Sequence, residues 1–389
     1  MVKEAVKLFT SESVSEGHVD AVCDAISNYL QDKYAEGDKY SRIAIETAIF
    51  GRNIFVGGEV TSKTEVDVVQ GVKDVLNDIG YDPEDGYVIQ DHIIGQSPEI
   101  SEGVTKDDGE VGAGDNGLMF GYATNGQNTE YMPMGAYLSH QLALKLSEVR
   151  KTGVLDYLGP DGKTQVTVKL NKDNEFVGVD TIVVNSMHSE EVSLEKVRED
   201  IKREVIDVVM KENDVYSEDI KVMINTAGSF VLGFGDADAG LTGRKIIVNS
   251  YCGYAKHGGG NYNGKDASKV DRSGAYMARY LSKNILHDAK TRYSNLNPQE
   301  VEVQFGFAIG IVEPVSLNVE VRSKGELLED VSQTYQKFIE NNISCSVKGI
   351  IETLDLLNQK MYPTSAYGHF GRPEFTWEKL DIDFSGIEN

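Results

Sequence analysis

The sequence predicts an α+β protein whose helices lie on one face of its sheets. Three observations predict it. Strand-like apolar runs arrive in pairs, and single amphipathic helices separate the pairs. A chain of 389 residues holds two or three domains, enough for a large core. Its 40% hydrophobic and 26% charged residues are those of an ordinary globular protein.

Each element follows from local pattern. Ser11 to Leu30 opens as a loop and becomes a helix, because Val22, Ala25, Ile26, Tyr29 and Leu30 recur at helical spacing. His18 and Asp20 stand at its first turn, where outward N–H groups suit an anion or metal–phosphate; Asp20 also suits the helix dipole alone. Strands 42–50 and 53–61 meet at a Gly51-Arg52 turn. Glu46 and Glu59 interrupt them, and period-two alternation allows both to face outward. A helix over 65–79 stops at Gly80, and a short strand covers 87–94. The Gly-rich connection from Gly95 to Gly117 is either a lid or an unstructured surface loop; Gln96 and Asp115 stand near its ends.

Next come a helix over 135–151, a turn at 159–163 containing Asp161 and Lys163, strands 165–170 and 176–184, and a charged helix over 193–211. Strands 221–225 and 230–234 flank Ala227-Gly228-Ser229; Phe230 suits either a core position or a base-stacking one. A helix from Ala267 to about His287 places Lys265 and Lys269 one turn apart, with Asp271 close behind. Strands 301–312 and 316–322, a helix over 327–341 and an aromatic, Gly-rich tail complete the chain.

Charge narrows the function. With 38 Lys+Arg against 62 Asp+Glu the formal charge is -24, which argues against nucleic acid or anionic membranes as partners. Between Ala239 and Tyr280 the sign reverses: Arg244, Lys245, Lys256, Lys265, Lys269, Arg272 and Arg279 face only Asp266 and Asp271. Cations, glycines and carboxylates in one window suit a polyphosphate with a divalent metal. Gly259–Lys265 spaces its ends like a Walker A loop, but Asp266 stands where the metal-binding hydroxyl belongs, so that motif is rejected; a surface turn whose Asp266 caps the next helix is the plainer possibility. Cys23, Cys252 and Cys345 are few and scattered, as in a reduced, cytoplasmic protein, and neither a signal peptide nor a bilayer-spanning run is expected. The histidines lack metal-site spacing, and no motif for a protein nucleophile is found.

Nine collinear stretches together resemble the S-adenosylmethionine synthetase (methionine adenosyltransferase) family. They are FTSESVSEGH (9–18), VGGE (56–59), QSPEI (96–100), GAGDNGLMFGYAT (112–124), KTQVTV (163–168), GLTGRKIIV (240–248), HGGG (257–260), GKDASKVDRS (264–273) and AYGHFGR (366–372). The resemblance implies three similar sheet-plus-helix domains about a pseudo-threefold, here over 1–110, 111–235 and 236–389. It also implies ATP and L-methionine as substrates, two Mg²⁺ and a K⁺ as cofactors, and homodimers that share active sites and usually pair into tetramers.

By resemblance, His18 contacts the phosphate end near the leaving oxygen, Asp20 and Asp271 hold Mg²⁺, and Glu46 holds K⁺. Lys163, Arg244, Lys245 and Lys265 bind polyphosphate, while Asp161, Ser229, Phe230 and Asn261 surround the nucleoside, with Phe230 stacked on adenine. Glu59, Gln96, Asp115, Asp238 and Lys269 hold methionine or adenosyl groups, and Gly95–Gly114 forms the lid. Three sites depart from the family pattern. Val19 and Ala21 replace the Pro and Lys of GHPDK, Ser229 replaces an Arg, and Asn261-Tyr262-Asn263 replaces Ala-Phe-Ser. Two cations fewer near the nucleotide imply weaker ATP binding. The alternatives are a catalytically weak homologue acting as a regulatory subunit, and an ATPase that needs no methionine.

Overall fold

The computed structural model describes residues 7–95, 111–126 and 129–387. The first third contains β1 (Lys7–Val14), α1 (Val19–Gly37), β2 (Arg42–Phe50), β3 (Asn53–Thr61), α2 (Val68–Ile79) and β4 (Val88–Ile94). The middle contains β5 (Gly117–Thr124), α3 (Met134–Lys151), β6 (Leu158–Leu170), β7 (Phe176–His188), α4 (Leu194–Ile201), α5 (Asp207–Glu212) and β8 (Lys221–Ile224). The last third contains β9 (Gly240–Leu241), α6 (Ile246–Asn249), α7 (Val270–Arg292), β10 (Glu300–Phe307), β11 (Ser316–Ser323), β12 (Glu326–Leu327), α8 (Glu329–Asn342) and α9 (Val347–Thr353).

These strands make three four-stranded sheets, ordered β4-β3-β2-β9, β1-β6-β7-β8 and β12-β11-β10-β5. Each sheet borrows one strand from another part of the chain. β1 runs antiparallel to β6 from Lys7↔Leu170 to Val14↔Lys163, β5 pairs with β10, and β9 pairs with β2 at Ala48 and Ile49. The exchange is cyclic, so the three sheet-plus-helix domains interlock. One apolar cluster lies under each sheet: α1 and α2 cover the first, α3 to α5 the second, and α7 to α9 the third. Helices on one face of each sheet are thus as expected.

Besides shifts in element ends, such as β10 stopping at Phe307, and a π turn over Lys202–Ile206 that interrupts the charged helix, the structure departs from the sequence reading in four places. Residues 7–14 form a strand, because pairing with β6 satisfies their backbone despite the polar side chains. The 159–163 turn lies inside β6, taken up by an irregularity between Leu158 and Gly162. Residues 230–234 are no strand: Phe234 has φ +55° and begins a 3₁₀ turn. Helix α7 starts at Val270 with Lys269 as its N-cap, so Asp266 does not cap it. Asp266 Oδ1 instead accepts from Ser268 N at 2.9 Å.

The basic window also divides. Arg272 and Arg279 are fully buried. Arg279 pairs with Glu378 at 2.9 Å, and Arg272 donates to Asn28, Gln31 and the Lys265 carbonyl. Lys256 pairs with Glu302 at 2.6 Å. Lys256, Arg272 and Arg279 are thus engaged with groups outside the expected site, whereas Arg244, Lys245, Lys265 and Lys269 pair with carboxylates inside the basic window or at the start of α1.

Candidate functional site

The first group of side chains gathers where α1 begins. His18 is its N-cap, and the His18 Nδ1 accepts from Asp20 N at 3.2 Å. Nδ1 is therefore unprotonated, and the neutral ring carries its proton on Nε2. Burial, then the Lys245 charge, pushes the His18 pKa down to about 4, so the ring is neutral at physiological pH. Asp20 is buried but not alone: Oδ1 accepts from Leu241 N at 3.0 Å and Oδ2 from Lys245 Nζ at 2.5 Å, with Arg244 Nε 3.8 Å away. A carboxylate taken from water needs such partners.

Strand β6 brings Lys163 and Asp161 to the same place. Lys163 pairs with Glu12 of β1 at 2.9 Å. Burial raises Glu12, yet hydrogen bonds from Lys163 and Gln165 outweigh it and hold its pKa below the usual range. Asp161 accepts from Phe234 N at 3.3 Å, and burial pushes it up to about 6. Asp238 is exposed, and its charge acts on His18 and Asp161. Phe230 is half-buried, with Ser229 exposed beside it.

The second group surrounds the glycine loop before α7. Lys265 Nζ pairs with Asp271 Oδ2 at 2.6 Å, and Lys269 Nζ with Asp266 Oδ2 at 3.4 Å. The loop must approach closely: a Cβ on Gly260 would lie 2.1 Å from Asp271 Oδ1. Asn261 closes a local turn, donating to Asn263 O at 2.8 Å and accepting from Asn263 N at 3.0 Å. Glu46 and Glu59 face away from α1, into a 470 Å³ cavity that Lys265 also lines. Asp115 is exposed, and Gln96 and most of the expected lid, residues 96–110, lie outside the described residues. Among the described residues, no hydrogen bond or ion pair joins the first group to the second.

Sequence reading missed Glu12 and Asp24. Asp24 accepts from Gly243 N at 2.9 Å and Asn249 Nδ2 at 3.1 Å, and burial pushes it up to about 7. Its position one helical turn after Asp20 was the available signal. A further cavity of 420 Å³, lined by Asp173, Glu175, Asp214 and Glu300, belongs to neither group.

Three family models match successive parts of the chain. Residues 6–99 match the S-adenosylmethionine synthetase N-terminal domain, 110–230 its central domain and 232–379 its C-terminal domain. The chain belongs to the S-adenosylmethionine synthetase family. A family of S-adenosylmethionine synthesis implies ATP and methionine as substrates and a general dependence on metal. The donor set fits Mg²⁺. Among the described residues no three His, Cys, Asp or Glu side chains converge. Mg²⁺ usually keeps waters and takes only one or two carboxylates beside substrate phosphates, so single carboxylates such as Asp20 and Asp271 suffice. For K⁺ the fit is looser: Glu46 offers one exposed carboxylate on a cavity wall. No helix among the described residues is long and apolar enough to cross a membrane.

Proposed function

We propose that this family member is a methionine adenosyltransferase. The sulfur of L-methionine attacks ribose C5′ of ATP, the C5′–O bond breaks and intact triphosphate leaves. Water then cleaves the triphosphate, so the products are S-adenosylmethionine, diphosphate and phosphate. The observation that carries this reading is the pairing of Lys245 with Asp20 and of Lys265 with Asp271, at 2.5 and 2.6 Å. Each pair holds a cation for phosphate beside a carboxylate for metal. On nucleotide binding, Lys245 and Lys265 turn from their carboxylates to phosphoryl oxygens, joined by Lys163 and Arg244. When bound, Mg²⁺ held by Asp20 and Asp271 and K⁺ beside Glu46 supply charge neutralisation.

His18 donates from Nε2 toward the departing oxygen, as its neutral, Nδ1-accepting ring allows. Phe230 stacks on adenine, with Asp161, Ser229 and Asn261 around the nucleoside. Glu59, Gln96, Asp115, Asp238 and Lys269 hold methionine and adenosyl groups, with 96–110 as part of the lid. The substrate sulfur is the nucleophile, and the protein thiols do not compete: burial pushes Cys252 and Cys345 up to about 12. What remains for the protein is positioning and electrostatic stabilisation of the leaving group.

Two copies share each site in this proposal, one giving the His18 group and the other the Lys265 group, with dimers pairing further. The free face of β4-β3-β2-β9 supports it: Phe50, Val88, Ile94 and Leu241 lie exposed around Glu46 and Glu59. Contiguous exposed apolar surface marks an interaction site. The test incubates the protein with ATP, Mg²⁺ and K⁺, with and without methionine, and follows the sulfonium product by mass. Product formed only with methionine supports the reading; phosphate released without it, or ligand binding without turnover, rejects it.

A further inference from the structure

We infer that His188 is a positioning residue for nucleotide binding, acting by fixing Phe230. The inference rests on the reading of Phe230 as the adenine platform. Phe230 follows an exposed loop, and Gly228 in that loop has φ +109°. With no strand to hold it, the segment is pinned to β7 at two points. At its start Asn225 stands in for a sheet partner: Ser186 N donates to Asn225 Oδ1 at 2.8 Å, and Asn225 Nδ2 donates to Ser186 O at 3.0 Å. Arg198 donates to the carbonyls of Ile224 and Asn225 from behind.

The second pin is His188, which holds Phe230 itself. His188 N donates to Phe230 O at 2.8 Å, and Phe230 N donates to His188 Nε2 at 3.2 Å. The ring's other nitrogen, Nδ1, lies 2.9 Å from Ser189 O. A carbonyl only accepts, so Nδ1 carries the proton and Nε2 presents its lone pair to Phe230. The tautomer is thus set by one backbone carbonyl, and the imidazole reads the platform's backbone with the other nitrogen. Between the pins Thr226, Ala227 and Ser229 are exposed and make no side-chain hydrogen bond among the described residues. Downstream, Phe234 N donates to Asp161 Oδ2. The backbone that carries the Phe230 ring is therefore held by His188 at Phe230 itself and by Asp161 four residues further on. A stacking surface held in place loses less freedom on binding than one that must first be ordered.

The test measures equilibrium binding to the full-length protein of two unreactive probes, the β,γ-imido analogue of ATP and inorganic imidotriphosphate. Only the first has a base to stack. His188→Leu and His188→Asn should each weaken the ATP analogue about tenfold and leave imidotriphosphate within about twofold. Asn keeps a donor near Nδ1 but cannot reach Phe230, and its small size guards against a misfolded Leu variant. His188→Gln, whose Oε1 reaches about as far as Nε2, should restore most of the affinity. Equal weakening of both probes in the Asn and Leu variants would show a purely structural role and overturn the inference, as would unchanged affinities. Phe230→Ala separates the two ideas. If it leaves the analogue's affinity intact, the stacking reading falls and takes the inference with it. If it loses the analogue selectively while the Leu and Asn variants bind normally, the inference alone falls.

Discussion

Lys265 and Asp271 carry opposite charges 2.6 Å apart, in a window where Arg272 and Arg279 are buried in the fold. Lys265→Ala and Asp271→Asn should each lower kcat by about a hundredfold or more, since one preorganised donor is commonly worth that much. Circular dichroism and melting should show both variants folded, and near-normal turnover in either would contradict the proposed placement of the triphosphate. Ser229 gives a gain-of-function counterpart. It is exposed beside Phe230, so Ser229→Arg restores a cation that the family usually has there. The variant should lower the KM for ATP severalfold, and steady-state titration decides. At this scale the sequence was a fair guide to which residues bear charge and a poor one to which are free. Counting cations placed Arg272 and Arg279 with the ligand, because nothing near Arg279 in sequence announces Glu378, its partner across the fold. Period-two alternation did allow Glu46 and Glu59 to face outward, and they do.

Elements show why some structure was legible and some was not. α2 and β2 follow simple periodicities, and the structure has them close to the expected bounds. β1 escaped because its pattern is polar, and its partner β6 lies far along the chain. The FVLGF run misled in the other direction: it is apolar enough for a strand, yet His188 and Asp161 hold it as a loop. Loop geometry gives a sharp prediction. Gly260→Ala should abolish turnover and lower the melting temperature as well, because the new Cβ would meet the Asp271 side chain from its carboxylate down to its Cβ, 2.8 Å away. Helix α3 gives a pH prediction. His140 is buried with Nδ1 2.8 Å from Ser13 Oγ, and burial pushes its pKa down to about 3, with Arg372 adding to the effect. The folded state then binds fewer protons than the unfolded one. Its stabilising contribution is complete above the ordinary value of 6.5 and is lost as pH falls toward about 3. In His140→Gln the fall in Tm between about pH 7 and pH 4 should be shallower than in the parent. An unchanged slope would assign acid sensitivity to other groups, such as buried His369.

Across the whole molecule, three interlocked sheets leave the His18 and Lys265 groups without a direct link among the described residues, and an apolar sheet face lies open beside the second. Shared sites predict complementation. A mixture of Asp20→Asn and Lys265→Ala chains, unfolded and reassembled together, should regain part of the parent's activity, whereas each alone stays inactive. No recovery in mixed dimers would mean that one chain builds a whole site. The most direct measurement is a crystal structure with the β,γ-imido analogue of ATP and Mg²⁺. The account predicts Lys245 Nζ and Lys265 Nζ on phosphoryl oxygens, with Asp20 and Asp271 turned to the metal. Nucleotide bound elsewhere, with both lysines still on their carboxylates, would contradict it.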